Sequence, residues 1–220
     1  MLATHSSLEP HRYGLAIHTA SHDLGLAISN FAGDQRCRTW PLGREVSNYL
    51  HSTLSDFMPP QTWSDLAFLA VAKGPGSFTG TRLGVVTART LAQQLDLPLF
   101  AISTLAAAAW QSQANLSCDA AAPSLDLAVQ MSAQRGELYG AIYGHDGNGS
   151  ITALLPDSVM SLQRWQQLLA AWNRPYRLVW AEAELGATAE GLLQLAYQDW
   201  QLGLRAHWSE ALPFYGQSPV

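Results

Sequence analysis

Apolar residues crowd into two short runs at 13–18 (YGLAIH) and 24–31 (LGLAISNF), separated by the turn-prone residues 20–23, which predicts two adjacent antiparallel strands. A third strand is predicted at 36–42, after the turn at Gly33 and Asp34. The period then changes. Val46, Leu50, Leu54 and Phe57, with Tyr49, recur at helical spacing over 44–58, and Pro59 and Pro60 end that helix. Residues 66–72 (LAFLAVA) are a continuous apolar run bounded by Lys73 and Gly74, the pattern of a strand covered on both faces. A glycine-rich turn, a helix at 81–95 and a strand at 99–102 follow, and Ser103 is placed to cap a helix at 104–114.

After a polar, alanine-rich loop at 111–124 the order starts again. Strands are predicted at 125–131, 138–143 and 151–155, the last two joined through the hairpin signal Gly147-Asn148-Gly149. A helix at 162–172, a strand at 176–180 and a helical segment at 188–197 complete the chain. Three strands, helix, strand, helix, strand is the ribonuclease-H-like unit on which actin-like (ASKHA) folds are built. The predicted class is therefore α/β, two such lobes with mixed sheets flanked by helices. The predicted division is a first lobe at 1–103, a smaller second lobe at 104–204, and a tail at 205–220 that packs back on the first. The second lobe repeats the order of elements, not the sequence.

Composition narrows the class of function. At 220 residues and 48% hydrophobic, the chain has enough apolar surface for one large core or two lobes without metal or disulfides. Charged residues make up 13% and the formal net charge is -5, so no basic stripe is present with which to hold nucleic acid unaided. Cys37 and Cys118 lie far apart and form no C-x-x-C pair, the usual pattern of a reducing compartment. No apolar run approaches the ~20 residues of a membrane span, and residues 1–12 lack the apolar stretch of a signal peptide. A cytoplasmic protein with a short loose leader is expected. The eight tryptophans are read first as packing residues and second as partner contacts.

The segment KGPGSFTGTRLG at 73–84 joins a buried strand, a glycine-rich turn and a helix start, which are the parts of an anion site. Known phosphate loops fit it poorly. A Walker A loop needs Lys followed by Ser or Thr at the helix start, where this chain has Gly80-Thr81. Gly74, Gly76 and Gly80 give G-x-G-x-x-x-G, off the dinucleotide register, and Asp96 lies at a helix end instead of a strand end. Pro75 removes a backbone donor and Phe78 fills room a polyphosphate would need. The alternative is structural: Gly74, Gly76 and Gly80 turn the chain at φ > 0, while Gly84 and Ala88 bring the helix close to the sheet.

GPGSFTGTRLG, followed by Leu97-Pro98-Leu99 and Ser103-Thr104-Leu105, closely resembles the signature stretch of the TsaB (YeaZ) family, so Gly74, Pro75, Gly76, Ser77, Phe78, Thr79 and Gly80 form the family's signature turn. The run at 15–20, Arg44-Glu45, the stretch Ala133 through Tyr139, and Pro213-Phe214-Tyr215 are similar to further family motifs in the right order. The resemblance implies a non-catalytic subunit that docks with the TsaD-family catalytic subunit and the TsaE-family ATPase. Together they place threonylcarbamoyl on tRNA adenosine next to the anticodon. It implies no cofactor, no catalytic residue and no metal on this chain, contact with tRNA only through the complex, and a homodimer as a further possibility. Family members pair through the two first-lobe helices, at 44–58 and 81–95 here. On the second, Gly84, Ala88, Leu91, Ala92 and Leu95 are expected to face the sheet, leaving Arg82, Val85, Val86 and Arg89 outward. With His51 and Ser55 of the first helix these make the candidate partner face.

Departures from the family bear on chemistry. The opening strand usually ends in Asp and here ends in His18, which cannot serve magnesium as a carboxylate does; Ser132 replaces a second Asp, and Gly216-Gln217 replaces Leu-Arg. His18 and His22 form an H-x-x-x-H string like that of TsaD, but across a strand end and a turn, with no third ligand nearby. Ser77 has no assignable base, which leaves an M22-like peptidase without chemistry. Arg135 and Glu137 are read as a surface pair. An actin-like ATPase or kinase binding nucleotide in the interlobe cleft is the alternative function.

Overall fold

The computed structural model describes residues 7–114, 125–145, 150–182 and 184–216. Strands β1 (Tyr13–His18), β2 (Leu24–Ser29) and β3 (Gln35–Trp40) form an antiparallel meander. After helix α1 (Val46–Phe57), strand β4 (Leu66–Ala72) enters beside β1 in parallel; helix α2 (Phe78–Leu95) then returns the chain to β5 (Leu99–Ile102), parallel to β4. The sheet order is β3-β2-β1-β4-β5. Every residue of β4 is buried, because Leu69 and Val71 join Leu15 and Ile17 under α1 and α2, while Phe68 and Ala70 join Ala16 on the opposite face.

Helix α3 (Thr104–Ala114) is capped by Ser103, whose Oγ accepts from the amides of Leu105 and Ala106 at 3.1 and 3.2 Å. Strands β6 (Asp126–Ser132), β7 (Glu137–His145) and β8 (Ile151–Ser161), helix α4 (Leu162–Ala170) and strand β9 (Tyr176–Trp180) follow. They give a second mixed sheet, β8-β7-β6-β9, so the expected α/β architecture, two lobes with mixed sheets flanked by helices, is present. Its core centres on Trp165, 1% exposed, whose indole N–H donates to Gln130 Oε1 at 2.5 Å. The hairpin signal at 147–149, Cys118 and Gln217 lie outside the described residues, as do the leader's first residues, 1–6.

Helix α5 (Ala189–Gln201), whose place in the chain order follows the second sheet, packs on β1, β2 and β4 of the first. Tyr197 stacks on Phe31 with ring centroids 3.7 Å apart, and Trp200 stacks on Phe68 at 5.4 Å. Helix α3 lies between α5 and the strands of the second sheet. The segment after α5 follows the first lobe: the Leu99 amide donates to Ala206 O at 3.0 Å, Ala211 joins the core, and the Phe214 amide donates to Lys73 O at 2.6 Å. It then reaches the second lobe, where Tyr139 Oη donates to Tyr215 O at 2.9 Å. Among the described residues no helix is long and apolar enough to cross a membrane.

Candidate functional site

The signature turn starts its helix earlier than the glycines suggest. Ser77 is the N-cap, its Oγ accepting from the Gly80 amide at 3.2 Å, so Phe78, Thr79 and Gly80 form the first turn of α2 instead of the end of a loop. Gly74 and Gly76 have φ of +97° and +155°, as a glycine turn requires, but Gly80 is helical. Gly80 serves close approach: a Cβ there would stand 2.0 Å from Thr19 O, and one at Gly84 would stand 2.2 Å from Thr19 Oγ1. Thr19 Oγ1 donates to Gly80 O at 2.7 Å, and the Ser77 amide donates to Ala20 O at 2.7 Å. On the other side of the turn, Gly74 O accepts from the Thr104 amide at 2.9 Å, and a Cβ at Gly74 would lie 2.4 Å from Phe214 O. The turn is a joint in which the end of β1, the start of α3 and the C-terminal segment meet. The amides of Ser77 and Gly80, which a phosphate would need, already have partners.

Beside this joint a cleft of about 1000 Å³ opens between the lobes. Its walls are mainly apolar and aromatic, with Phe78, Tyr139, Trp180 and Tyr215 prominent; among the described residues Glu182 is the acidic side chain on them, and no Lys or Arg contributes. Phe78 and Tyr215 pack with ring centroids 4.6 Å apart. Ser132 and His22 line the cleft, but His18 does not. His18 is fully buried, neither ring nitrogen has a hydrogen-bond partner among the described residues, and burial lowers its pKa to about 4 against the opposing pull of Asp23. One histidine of the H-x-x-x-H string is thus enclosed and the other exposed. Among the described residues no cluster of three or more His, Cys, Asp or Glu is placed to hold a metal. Asp23 ties the lobes together, accepting from Ser21 Oγ and, at 2.8 Å, from the Gly186 amide.

Across the lobes, Ser103 Oγ lies 3.3 Å from Tyr143 Oη, which donates to Asp157 at 2.8 Å. Burial raises both pKa values, that of Tyr143 far above the usual phenol range. This cluster also fastens one lobe to the other.

The candidate partner face needs one correction. Val85, expected outward, is 1% exposed and belongs to the core, whereas its neighbour Val86 is 59% exposed. The reason is the width of the buried stripe. Besides the sheet, α2 meets α1 and the turn at Trp208–Glu210, so Thr81, Val85, Ala88 and Ala92 are covered together with Gly84 and Thr87. Leu91 and Leu95 are only partly buried. Arg82 is exposed with its guanidinium 5.6 Å from the Phe78 ring centre, and Arg89, half-buried, lies 5.7 Å from that of Trp208. On α1, His51 and Ser55 are exposed. Tyr49, read with the apolar stripe, is 51% exposed as well.

Residues 60–189 match the family model of TsaD, tRNA N6-adenosine threonylcarbamoyltransferase. The tRNA threonylcarbamoyladenosine biosynthesis protein TsaB of Bacillus subtilis (strain 168) is 35% identical over 176 residues, covering 73% of this chain and 67% of that protein. The protein of the same name from Escherichia coli (strain K12) is 32% identical over 168 residues, covering 72% and 68%. Among solved structures, YeaZ from Pseudomonas aeruginosa superimposes with a TM-score of 0.76 at 23% identity, over 93% of this chain and 99% of its own. A second Pseudomonas aeruginosa structure, of a protein with similarity to peptidase YEAZ, gives 0.77 at 21% identity, over 94% and 100%.

Proposed function

The chain belongs to the TsaB family, and from that premise we infer that it is a non-catalytic subunit of the machinery that installs threonylcarbamoyl on the tRNA adenosine next to the anticodon. It docks with a TsaD-family catalytic subunit through the outer face of α1 and α2, where His51, Ser55, Arg82, Val86 and Arg89 are presented. A TsaE-family ATPase joins the same assembly, and tRNA is met only through the complex. The division into lobes at residue 103 belongs to the same reading.

The observation that carries this is the state of the glycine turn. The Ser77 amide is taken by Ala20 O, the Gly80 amide by Ser77 Oγ, and the space at the glycines by Ala20, Thr19 and Phe214, while among the described residues the neighbouring cleft offers no Lys or Arg to a phosphate. Function is argued from sites and not from folds, and a cleft without phosphate ligands leaves the surface as the place where this subunit acts.

The test is co-expression with the TsaD homologue of the same cell, followed by sedimentation velocity on wild type and on a His51→Glu/Val86→Glu double variant. Loss of the heterocomplex is expected, with an unchanged melting curve for the variant alone. Association at wild-type strength would refute this face. Titrating the isolated chain with Mg-ATP in a calorimeter addresses the ATPase reading: no saturable heat is expected, and stoichiometric binding would favour that alternative.

A further inference from the structure

The cleft between the lobes is poorly built for phosphate, yet its walls carry a different chemistry. Ala20, Met131, Ala181 and Leu185 are buried and give it an apolar base, whereas Trp180, 58% exposed, and Glu182 stand at its mouth. Strand geometry sets these two side by side. Trp180 ends β9, and the Ala181 amide continues the ladder by donating to Gln130 O at 2.9 Å, so the backbone is still extended there. Side chains two positions apart on an extended chain share a side. Ala181 turns inward, and the indole and the carboxylate turn outward together.

The ring faces of the cleft are unequally free. Phe78 is in use, with Tyr215 packed on it and Arg82 beside it. Among the described residues no ring and no cation stacks on Trp180. Glu182 is in the same state, since the ion pairs among the described residues are His11 with Glu9 and Arg174 with Asp126. An open indole face next to an unpaired carboxylate attracts positive charge, and about 1000 Å³ of mainly apolar space takes a carbon body of drug-like size. The kind of cation follows from the walls. A metal ion needs three or more protein donors, and no such cluster exists among the described residues. A compact ammonium would give up its water to walls that are mostly carbon. A quaternary ammonium spreads its charge over methyl groups and needs no hydrogen bonds, so it loses least on entry. We propose that the cleft is a binding site for a small organic cation of the quaternary ammonium class, its charged head on the Trp180 ring beside Glu182 and its apolar body against Met131, Tyr139 and Leu185. Its walls come from both lobes, Ala20 and Phe78 from one, Tyr139 and Trp180 from the other, so an occupant bridges them. The assignment does not rest on docking through α1 and α2.

Calorimetric titration of the full chain with benzyltrimethylammonium tests this, with N-benzylacetamide as an uncharged ligand of similar size. Saturable binding of the cation is expected, with the amide about tenfold weaker or silent. Glu182→Gln and Trp180→Leu, both at exposed positions, are each expected to weaken the cation about threefold or more, and Trp180→Phe, which keeps a weaker π face, to fall between wild type and Trp180→Leu. Glu184→Gln changes an exposed carboxylate that is not on the cleft walls and is expected to leave the affinity as it was. No saturable binding at tens of millimolar overturns the proposal. So does equal binding of the amide, which would leave the cleft merely apolar. A cation affinity that survives Glu182→Gln and Trp180→Leu in one chain also overturns it, by placing the cation elsewhere on the surface.

Discussion

His18 makes acid stability a sharp test of the packing at the end of β1. In the unfolded chain its imidazole takes up a proton near the ordinary value of 6.5; in the folded chain it does so only near 4. Between those values the unfolded state binds more protons, so stability is complete above pH 6.5, falls as pH drops through the window, and levels off below 4. The difference in pKa corresponds to about 3 kcal/mol, a large part of the stability of a typical domain. Burial is the dominant cause, and the charge of Asp23 opposes it without prevailing. Replacing His18 by Leu removes the titrating group and two buried nitrogens that lack partners among the described residues, and puts an apolar side chain of moderate size in their place. Urea midpoints followed by tryptophan fluorescence between pH 7.5 and 4 give the comparison. Carboxylates titrate in both proteins, so the informative quantity is the difference between the two curves. Wild type is expected to lose about 3 kcal/mol more than His18→Leu over the window. Parallel curves from pH 7 to pH 5 would refute the reasoning, because they would mean that His18 gains its proton without leaving its site.

Gly80→Ala drives a methyl into the Thr19 carbonyl, with the ideal Cβ 2.0 Å away, and is expected to destabilise by about 1–3 kcal/mol or more, read as a lowered urea midpoint. Val85→Glu buries a charge in the first-lobe core and is expected to abolish cooperative unfolding, whereas Val86→Glu changes stability by no more than about 0.5 kcal/mol; circular-dichroism melts of the pair separate the two faces of α2. Trp165→Phe leaves Gln130 Oε1 without its donor inside the second lobe, at an expected cost of about 1–3 kcal/mol by chemical denaturation, and Gln130→Leu in the same background should recover part of it.

The sheets were legible in the sequence where a single physical cause sets the pattern. LAFLAVA reads as a doubly covered strand because both faces of β4 are covered, and the helical spacing of Val46, Leu50, Leu54 and Phe57 marks the buried side of α1. Legibility failed where a neighbour distant in sequence decides. The sequence predicts a strand at 151–155, whereas β8 runs on to Ser161; it is an edge strand, and the pairing shifts register between Ile142↔Leu155 and Gly140↔Ser158, where Pro156 is tolerated. The start of α2 was placed late because Gly80 reads as a loop residue until the nearby Thr19 carbonyl explains it. Val85 was misjudged because the turn that broadens the buried stripe comes from residues 208–210, more than a hundred positions away. The lack of Lys and Arg among the cleft's described residues was partly visible, in the missing Walker lysine. The cleft's aromatic wall was not, because Phe78, Tyr139, Trp180 and Tyr215 come from four separate parts of the chain.

Because α5 is laid across the first sheet, the chain passes between the lobes more than once, and cutting it at one junction does not free an intact half. A fragment ending at Ile102 would lose the cover over Ala16, Ala70 and Phe68 and present that greasy surface to water, inviting precipitation. Anyone wishing to study the amino-terminal half alone would do better to rewire the connectivity, grafting residues 189–214 directly after β5, than to truncate.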